Sequence, residues 1–203
     1  MKKLFLVSSF MDVADLLPKF ERQLNGKTVT FIPTASKAEE IVFYVDKGRQ
    51  ALERMGLIVE DLELSTASPQ TISVALKRND YIYVTGGNTF YLLQEMKRTG
   101  ADKLVIEEVQ SGKLYIGESA GAIITAPTID YAQEMDDKSK APHLESFDAL
   151  GLVDFCIVPH HTNPPFAEAA QTILDRYGAT LSLVPISNQQ AVEVRNDDYI
   201  VTP

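Results

Sequence analysis

A single cysteine, Cys156, stands in a chain of 203 residues, which excludes any intrachain disulfide framework. Its isolation fits a reducing compartment. No run of about 18 apolar residues occurs, so no conventional membrane-spanning helix is expected. The start, Met1-Lys2-Lys3-Leu4-Phe5-Leu6-Val7, has the basic-then-apolar order of a secretory signal. Its apolar run is too short for one, Asp12 and Asp15 follow closely, and no small-residue cleavage site appears. It reads as a first strand, and the expected location is cytoplasmic. Positive charge is also scarce: 19 Lys and Arg against 28 Asp and Glu leave a net charge of −9. That balance argues against nucleic-acid and anionic-membrane partners. There is no block of like charges, no internal repeat and no low-complexity segment. No cysteine–histidine cluster suits zinc and no dense aspartate loop suits calcium, so no metal and no cofactor are expected.

What is present is the balance of an ordinary globular protein, 45% apolar and 23% charged. The length suits one domain, residues 1–203, with a large core. Short apolar runs alternate with segments of helical periodicity. Strands are expected at Leu4–Ser8, Val29–Pro33, Ile58–Leu62, Tyr81–Val84, Leu114–Ile116, Phe155–Val158 and Leu181–Val184, with a terminal hairpin pairing Ala191–Val194 and Tyr199–Val201. Helices are expected at Val13–Gln23, Ala38–Met55, Gln70–Lys77, Thr89–Arg98, Ala101–Gln110 and Pro165–Tyr177. In the second of these, Ile41, Val45, Ala51, Leu52 and Met55 are compatible with one buried stripe. Several early runs are β-branched or aromatic with little alternation, as in strands buried on both faces. The alternation predicts an α/β fold, a mainly parallel sheet with helices on both faces. The long irregular stretch Thr125–Ala149 suggests a substrate-covering loop.

The richest segment is Leu114-Tyr115-Ile116-Gly117-Glu118-Ser119-Ala120-Gly121-Ala122. Its G-x-S-x-G spacing is that of a nucleophile elbow, where a strand turns sharply into a helix and exposes one hydroxyl. The glycines permit the tight turn and close packing. The helix N-terminus favours a nucleophile and an oxyanion. In open α/β sheets, sites lie beyond the carboxyl ends of the strands. Ser8-Ser9, Pro33-Thr34-Ala35-Ser36, Gly86-Gly87-Asn88-Thr89, Gly117-Glu118-Ser119 and His160-His161-Thr162-Asn163 all fall at such ends.

A serine nucleophile needs a base, most often histidine. His143 lies in the polar loop and is expected to be solvated; His160 and His161, after Pro159, both remain candidates. The oxyanion needs preorganised N–H donors, for which Ala120 and the Gly86-Gly87 turn offer themselves. The turn glycines do not have the spacing of a dinucleotide or P-loop fingerprint. Cys156, inside an apolar strand, reads as buried packing and not as a thiol nucleophile.

Three segments together carry a resemblance: Thr85-Gly86-Gly87-Asn88-Thr89-Phe90-x-Leu92-Leu93, Tyr115-Ile116-Gly117-x-Ser119-Ala120-Gly121-Ala122 and Pro159-His160-x-Thr162-Asn163. The chain resembles, over essentially its whole length, the peptidase E family of aspartyl dipeptidases, to which cyanophycinases are related. The resemblance implies a class I glutamine amidotransferase-like fold, with serine where those enzymes have cysteine. It implies Ser119 as nucleophile, His160 rather than His161 as base, and Gly87 and Ala120 as oxyanion donors. The third catalytic position, usually glutamate, falls on Asn188, whose carbonyl can still orient an imidazole; Glu193 is an alternative neighbour. The family acid that recognises a free amino terminus matches Glu134. The family arginine after the histidine is missing from Asn163-Pro164-Pro165-Phe166-Ala167-Glu168-Ala169-Ala170. With no guanidinium to hold a carboxylate, and with Glu118 beside the nucleophile, a preference for aspartyl substrates is not expected. Glu118, Glu134 and Asn88 are the candidate substrate-binding residues. The expectation is a serine-type peptidase acting on small peptides through an acyl-enzyme. An esterase or amidase, or a binding homologue weakened by Asn188, are the alternatives.

Overall fold

The structure is a computed structural model that describes every residue from Met1 to Pro203. The strands are β1 (Lys3–Val7), β2 (Thr28–Ile32), β3 (Ile58–Asp61), β4 (Tyr81–Val84), β5 (Leu114–Glu118), β6 (Cys156–Val158), β7 (Leu183–Pro185), β8 (Ala191–Arg195) and β9 (Asp198–Thr202). The helices are α1 (Phe10–Val13), α2 (Leu17–Phe20), α3 (Phe43–Arg54), α4 (Pro69–Arg78), α5 (Thr89–Thr99), α6 (Ala101–Gln110), α7 (Ala120–Ile123) and α8 (Ala167–Tyr177). Seven strands form one sheet in the order β3-β2-β4-β5-β1-β8-β9. Its first five members run parallel, and β8 and β9 close one side antiparallel. This is the mainly parallel α/β sheet that the alternating pattern predicts.

Both faces are buried, which is why the central runs lack alternation. Along β1, Leu4 and Leu6 join the core that lies under α4 to α6, whereas Phe5 and Val7 join the core under α1 to α3. The same division splits Ile82 and Val84 from Tyr81 and Tyr83 in β4. Local chemistry sets the helix starts. Ser68 accepts the Thr71 N–H at 3.1 Å with Pro69 at the first turn, and Asn88 accepts the Tyr91 N–H at 3.0 Å. Gly100, at φ 75°, ends α5 in the left-handed conformation and lets α6 begin at once.

Four expectations need correction. Val13–Gln23 is not one helix: a 3-10 turn at Ala14–Leu16 separates α1 from α2, and Pro18 near the start of α2 cannot supply the N–H of a continuous helix. Ala38–Met55 is helical only from Phe43, and Ile41 is 70% exposed, outside the buried stripe. Its predecessor, Thr34–Ala38, is a 3-10 turn at the end of β2. Phe155–Val158 does not enter the main sheet; β6 pairs in parallel with β7 alone. Finally, Thr125–Ala149 is a packed segment and not a structureless loop. It contains two 3-10 turns, buries Ile129, Tyr131 and Ala132, and Tyr131 donates to the Ile157 carbonyl at 2.8 Å.

Candidate active site

Five chain turns meet at the carboxyl ends of β1, β2, β4, β5 and β6. The sharpest follows β5. Ser119 has φ 49° and ψ −107°, a conformation that an L-residue adopts only when its surroundings hold it there. Its N–H donates to the Val7 carbonyl at 2.8 Å, continuing the β1–β5 ladder through the turn. Two glycines make the turn possible. A Cβ on Gly117 would sit 2.4 Å from the Gly121 carbonyl oxygen, and one on Gly121 would sit 2.3 Å from that of Val84.

His160 reaches this serine from the end of β6, across the gap between the two sheets. Its Nε2 lies 2.9 Å from Ser119 Oγ, and its Nδ1 lies 2.8 Å from Asn188 Oδ1. An amide oxygen can only accept, so Nδ1 carries the proton and Nε2 presents its lone pair to the serine. His160 itself is at φ 59°, and its N–H donates to Ser8 Oγ at 2.9 Å. Ser8 in turn donates to the Ile186 carbonyl at 3.1 Å. Phe166 packs over the imidazole with ring centroids 4.9 Å apart. Asn188 is held by its own N–H, which donates to Asn163 Oδ1 at 2.9 Å. Burial lowers the His160 pKa below its ordinary value, against a smaller upward pull from Asn188, so the ring is neutral near pH 7. The ring of His161 makes no hydrogen bond to Ser119, its backbone N–H donates to the Ile186 carbonyl, and His143 is exposed on the polar segment. Glu193 accepts from Thr202 on the neighbouring strand and plays no part behind His160.

The Gly86-Gly87 turn lies against the elbow. A Cβ on Gly86 would be 3.2 Å from that of Ser119. Gly87, at φ 131°, fits only because it lacks a side chain: a Cβ would be 2.3 Å from the carbonyl carbon and oxygen of Ala35. The adjacent Asn88 N–H donates to the Ala35 carbonyl at 3.0 Å. Ala120 opens α7, so its N–H has no acceptor within the helix.

Each of the three candidate substrate-binding residues is engaged by the fold. Glu118 faces away from the serine, as alternation along β5 requires. It is 3% exposed and accepts from the Phe10 N–H and the Tyr83 hydroxyl, each at 2.9 Å. Burial pushes its pKa up to about 7, against the lowering by Phe10, Tyr83 and the Gly86 N–H. Asn88 caps α5 and donates to the Asp137 carbonyl at 3.0 Å, so its amide is committed to the fold. Glu134 is ion-paired with Arg176 at 2.5 Å. All three share one feature: a polar residue near a site in sequence is taken up by the backbone and charges around it.

Two residues passed over in the sequence lie here instead. Asp136 accepts from the Thr89 N–H at 2.9 Å and from its hydroxyl, both through Oδ2. It thereby joins the 125–149 segment to the turn that carries Gly87. Burial raises its pKa to about 6, opposed by the Thr89 bonds. Tyr44 lies against Gly86, and its buried hydroxyl has no partner. Neither residue had a motif to betray it. Cys156 is 3% exposed, and burial raises its thiol to about 11, which leaves it an inert core residue.

An α/β sheet whose elbow serine touches a neutral imidazole is the architecture at hand, and comparison with known proteins gives it a family. The profile of Peptidase family S51 matches residues 4–202, and the chain belongs to that family. It is 58% identical over 200 residues to the uncharacterized peptidase Lin0382 of Listeria innocua serovar 6a, covering 98% of this chain and 96% of the relative. It is 34% identical over 171 residues to the peptidase E of Salmonella arizonae, covering 83% of this chain and 71% of that one. A crystal structure of a candidate peptidase E protein from Listeria monocytogenes EGD-e superposes with a TM-score of 0.96 at 56% identity, over 100% of this chain and 98% of that one. Family membership supports a peptidase with a peptide substrate. No helix is long and apolar enough to cross a membrane.

Proposed function

We propose that the chain is a serine peptidase that cleaves small peptides, releasing an amino-terminal residue through an acyl-enzyme. The hydrogen-bonded line Ser119–His160–Asn188 carries this reading. Ser119 Oγ attacks the scissile carbonyl while its proton passes to His160 Nε2. The new O–C bond forms a tetrahedral intermediate whose oxyanion is taken by the Gly87 and Ala120 N–H groups. The intermediate collapses, the C–N bond breaks, and His160 returns the proton to the leaving amine. Water, deprotonated by the same imidazole, then releases the acid and restores the serine. Asn188 keeps the proton on Nδ1, and Asn163 keeps Asn188 in place.

A dipeptide library with varied first residues, read beside a fluorophosphonate probe, tests the reading. The expected result is dipeptide turnover with labelling at Ser119 and no marked preference for aspartate. Faster turnover of simple esters than of dipeptides would favour an esterase, and absence of labelling would favour a binding role. Because the base must be neutral, kcat/KM is expected to be level above pH 7. It should fall as pH drops through the His160 pKa, which lies below its ordinary 6.5.

Asn188 provides a sharper check. Asn188→Ala removes one neutral hydrogen bond worth about 1 kcal/mol and should lower kcat about fivefold. Asn188→Asp substitutes a charge-assisted bond to Nδ1–H, favours the imidazolium, and should move the acid limb of the pH profile upward. A pH profile identical in the Asp variant would remove Asn188 from the proposed line.

A further inference from the structure

Glu118 is a buried carboxylate that the proposed reaction does not use, and no lysine or arginine pairs with it. Burying a charge without a cation is costly. An apolar residue would fill the place at no such cost, so the group's surroundings bear directly on its role. Oε1 takes the N–H of Phe10, in the turn that follows β1; two residues earlier, Ser8 holds the backbone of His160. Oε2 takes the hydroxyl of Tyr83, the residue on β4 that stands three before Gly86. Ser119 is the next residue along the chain.

The cradle is shaped for this contact. Tyr83 is stacked on Phe31 with centroids 5.0 Å apart and meets the edge of Phe10 at 5.1 Å. Over its hydroxyl lies Gly48 of α3, where a Cβ would come within 2.6 Å of the oxygen. A glycine inside a helix is unfavourable relative to alanine, and here it leaves the room that the Tyr83–Glu118 bond needs.

We propose that Glu118 is a positioning residue: its carboxylate ties the ends of β1, β4 and β5 together and so holds Ser119, the Gly86-Gly87 turn and the Ser8 support of His160 in one geometry. The inference rests on the serine-peptidase reading. The elbow is held in an unfavourable backbone conformation, and such a conformation persists only while its neighbours over-determine it. Releasing the tie lets the serine shift relative to both the imidazole and the oxyanion donors. A misplacement of about 1 Å can cost about 100-fold in rate.

The test compares Glu118→Ala, Glu118→Gln and Tyr83→Phe with the wild type by kcat, KM and the rate of fluorophosphonate labelling. Glu118→Ala should lower kcat and labelling together by about 10- to 100-fold, with KM little changed. Glu118→Gln should restore most of the rate, because an amide oxygen can accept from Phe10 while its NH₂ donates to the Tyr83 oxygen. Tyr83→Phe keeps the aromatic stack and removes one bond, and should lower kcat by about three- to tenfold. If Glu118→Ala does not fold, Tyr83→Phe decides alone. A kcat within about twofold of wild type in a folded Glu118→Ala or Tyr83→Phe protein would overturn the proposal, whatever the loss of thermal stability. Failure of the wild type itself to label would overturn the serine-peptidase reading instead.

Discussion

Ser119→Ala is expected to lower kcat for dipeptide hydrolysis by about 10⁴- to 10⁶-fold and to abolish fluorophosphonate labelling. The size follows from the acyl-enzyme mechanism: without Oγ no covalent intermediate forms, and binding with oxyanion stabilisation is all that remains. The fold should survive. The hydroxyl makes one hydrogen bond, to His160, worth about 1 kcal/mol, and the alanine Cβ occupies the space of the serine Cβ. An unchanged far-UV spectrum with a thermal midpoint close to wild type would establish that the loss is chemical. Turnover above a hundredth of wild type, in protein free of contaminating peptidase, would sink the mechanism.

The second large effect is expected at Gly87. In Gly87→Ala the new methyl would collide with the Ala35 backbone at 2.3 Å and with the Ser36 nitrogen at 2.5 Å, at φ 131°. Backbone atoms cannot swing aside as a flexible side chain would, so the turn itself must move. Displacing one oxyanion donor costs about 10²- to 10³-fold in kcat. Overpacking adds about 1 to 3 kcal/mol of lost stability. Gly26 supplies the control. It is also left-handed, at φ 75°, but a Cβ there meets nothing within 4 Å. Gly26→Ala should therefore cost about 1 kcal/mol of stability and leave kcat unchanged. Equal kcat in the two variants would remove Gly87 from the oxyanion site.

The turns at the strand ends were legible because their chemistry is local. Gly117, Ser119 and Gly121 announce a tight turn, and Gly86-Gly87 announces a close approach, without reference to the rest of the chain. The central strands β1, β2, β4 and β5 were legible for a related reason: residues buried on both faces must be apolar wherever they fall. The helices before α4 were less so. A periodic pattern ran on through Ala14–Leu16, a 3-10 turn between α1 and α2, and through Glu39–Val42, which lies between a 3-10 turn and the start of α3. Glu118, Glu134 and Asn88 were legible as polar residues, but the long-range partners that engage them were not. Their partners are Tyr83, Arg176 and Tyr91 with Asp137, and two of these pairings, Glu118–Tyr83 and Glu134–Arg176, span 35 and 42 residues. Asp136 and Tyr44 had no signal at all, since each is defined by what lies against it.

The sequence alone determined an α/β fold with a parallel sheet, and it determined which strand ends carry polar and glycine-rich turns. Both follow from periodicity and from backbone sterics acting over a few residues. Only the tertiary structure decided that His160 reaches Ser119 from a separate two-stranded sheet, that its far nitrogen meets Asn188, and that Glu118 turns inward beneath the elbow. These are contacts between residues 41, 28 and 108 positions apart along the chain. Their distances depend on how strands order themselves and on which side chain fills each remaining space, which no local pattern encodes.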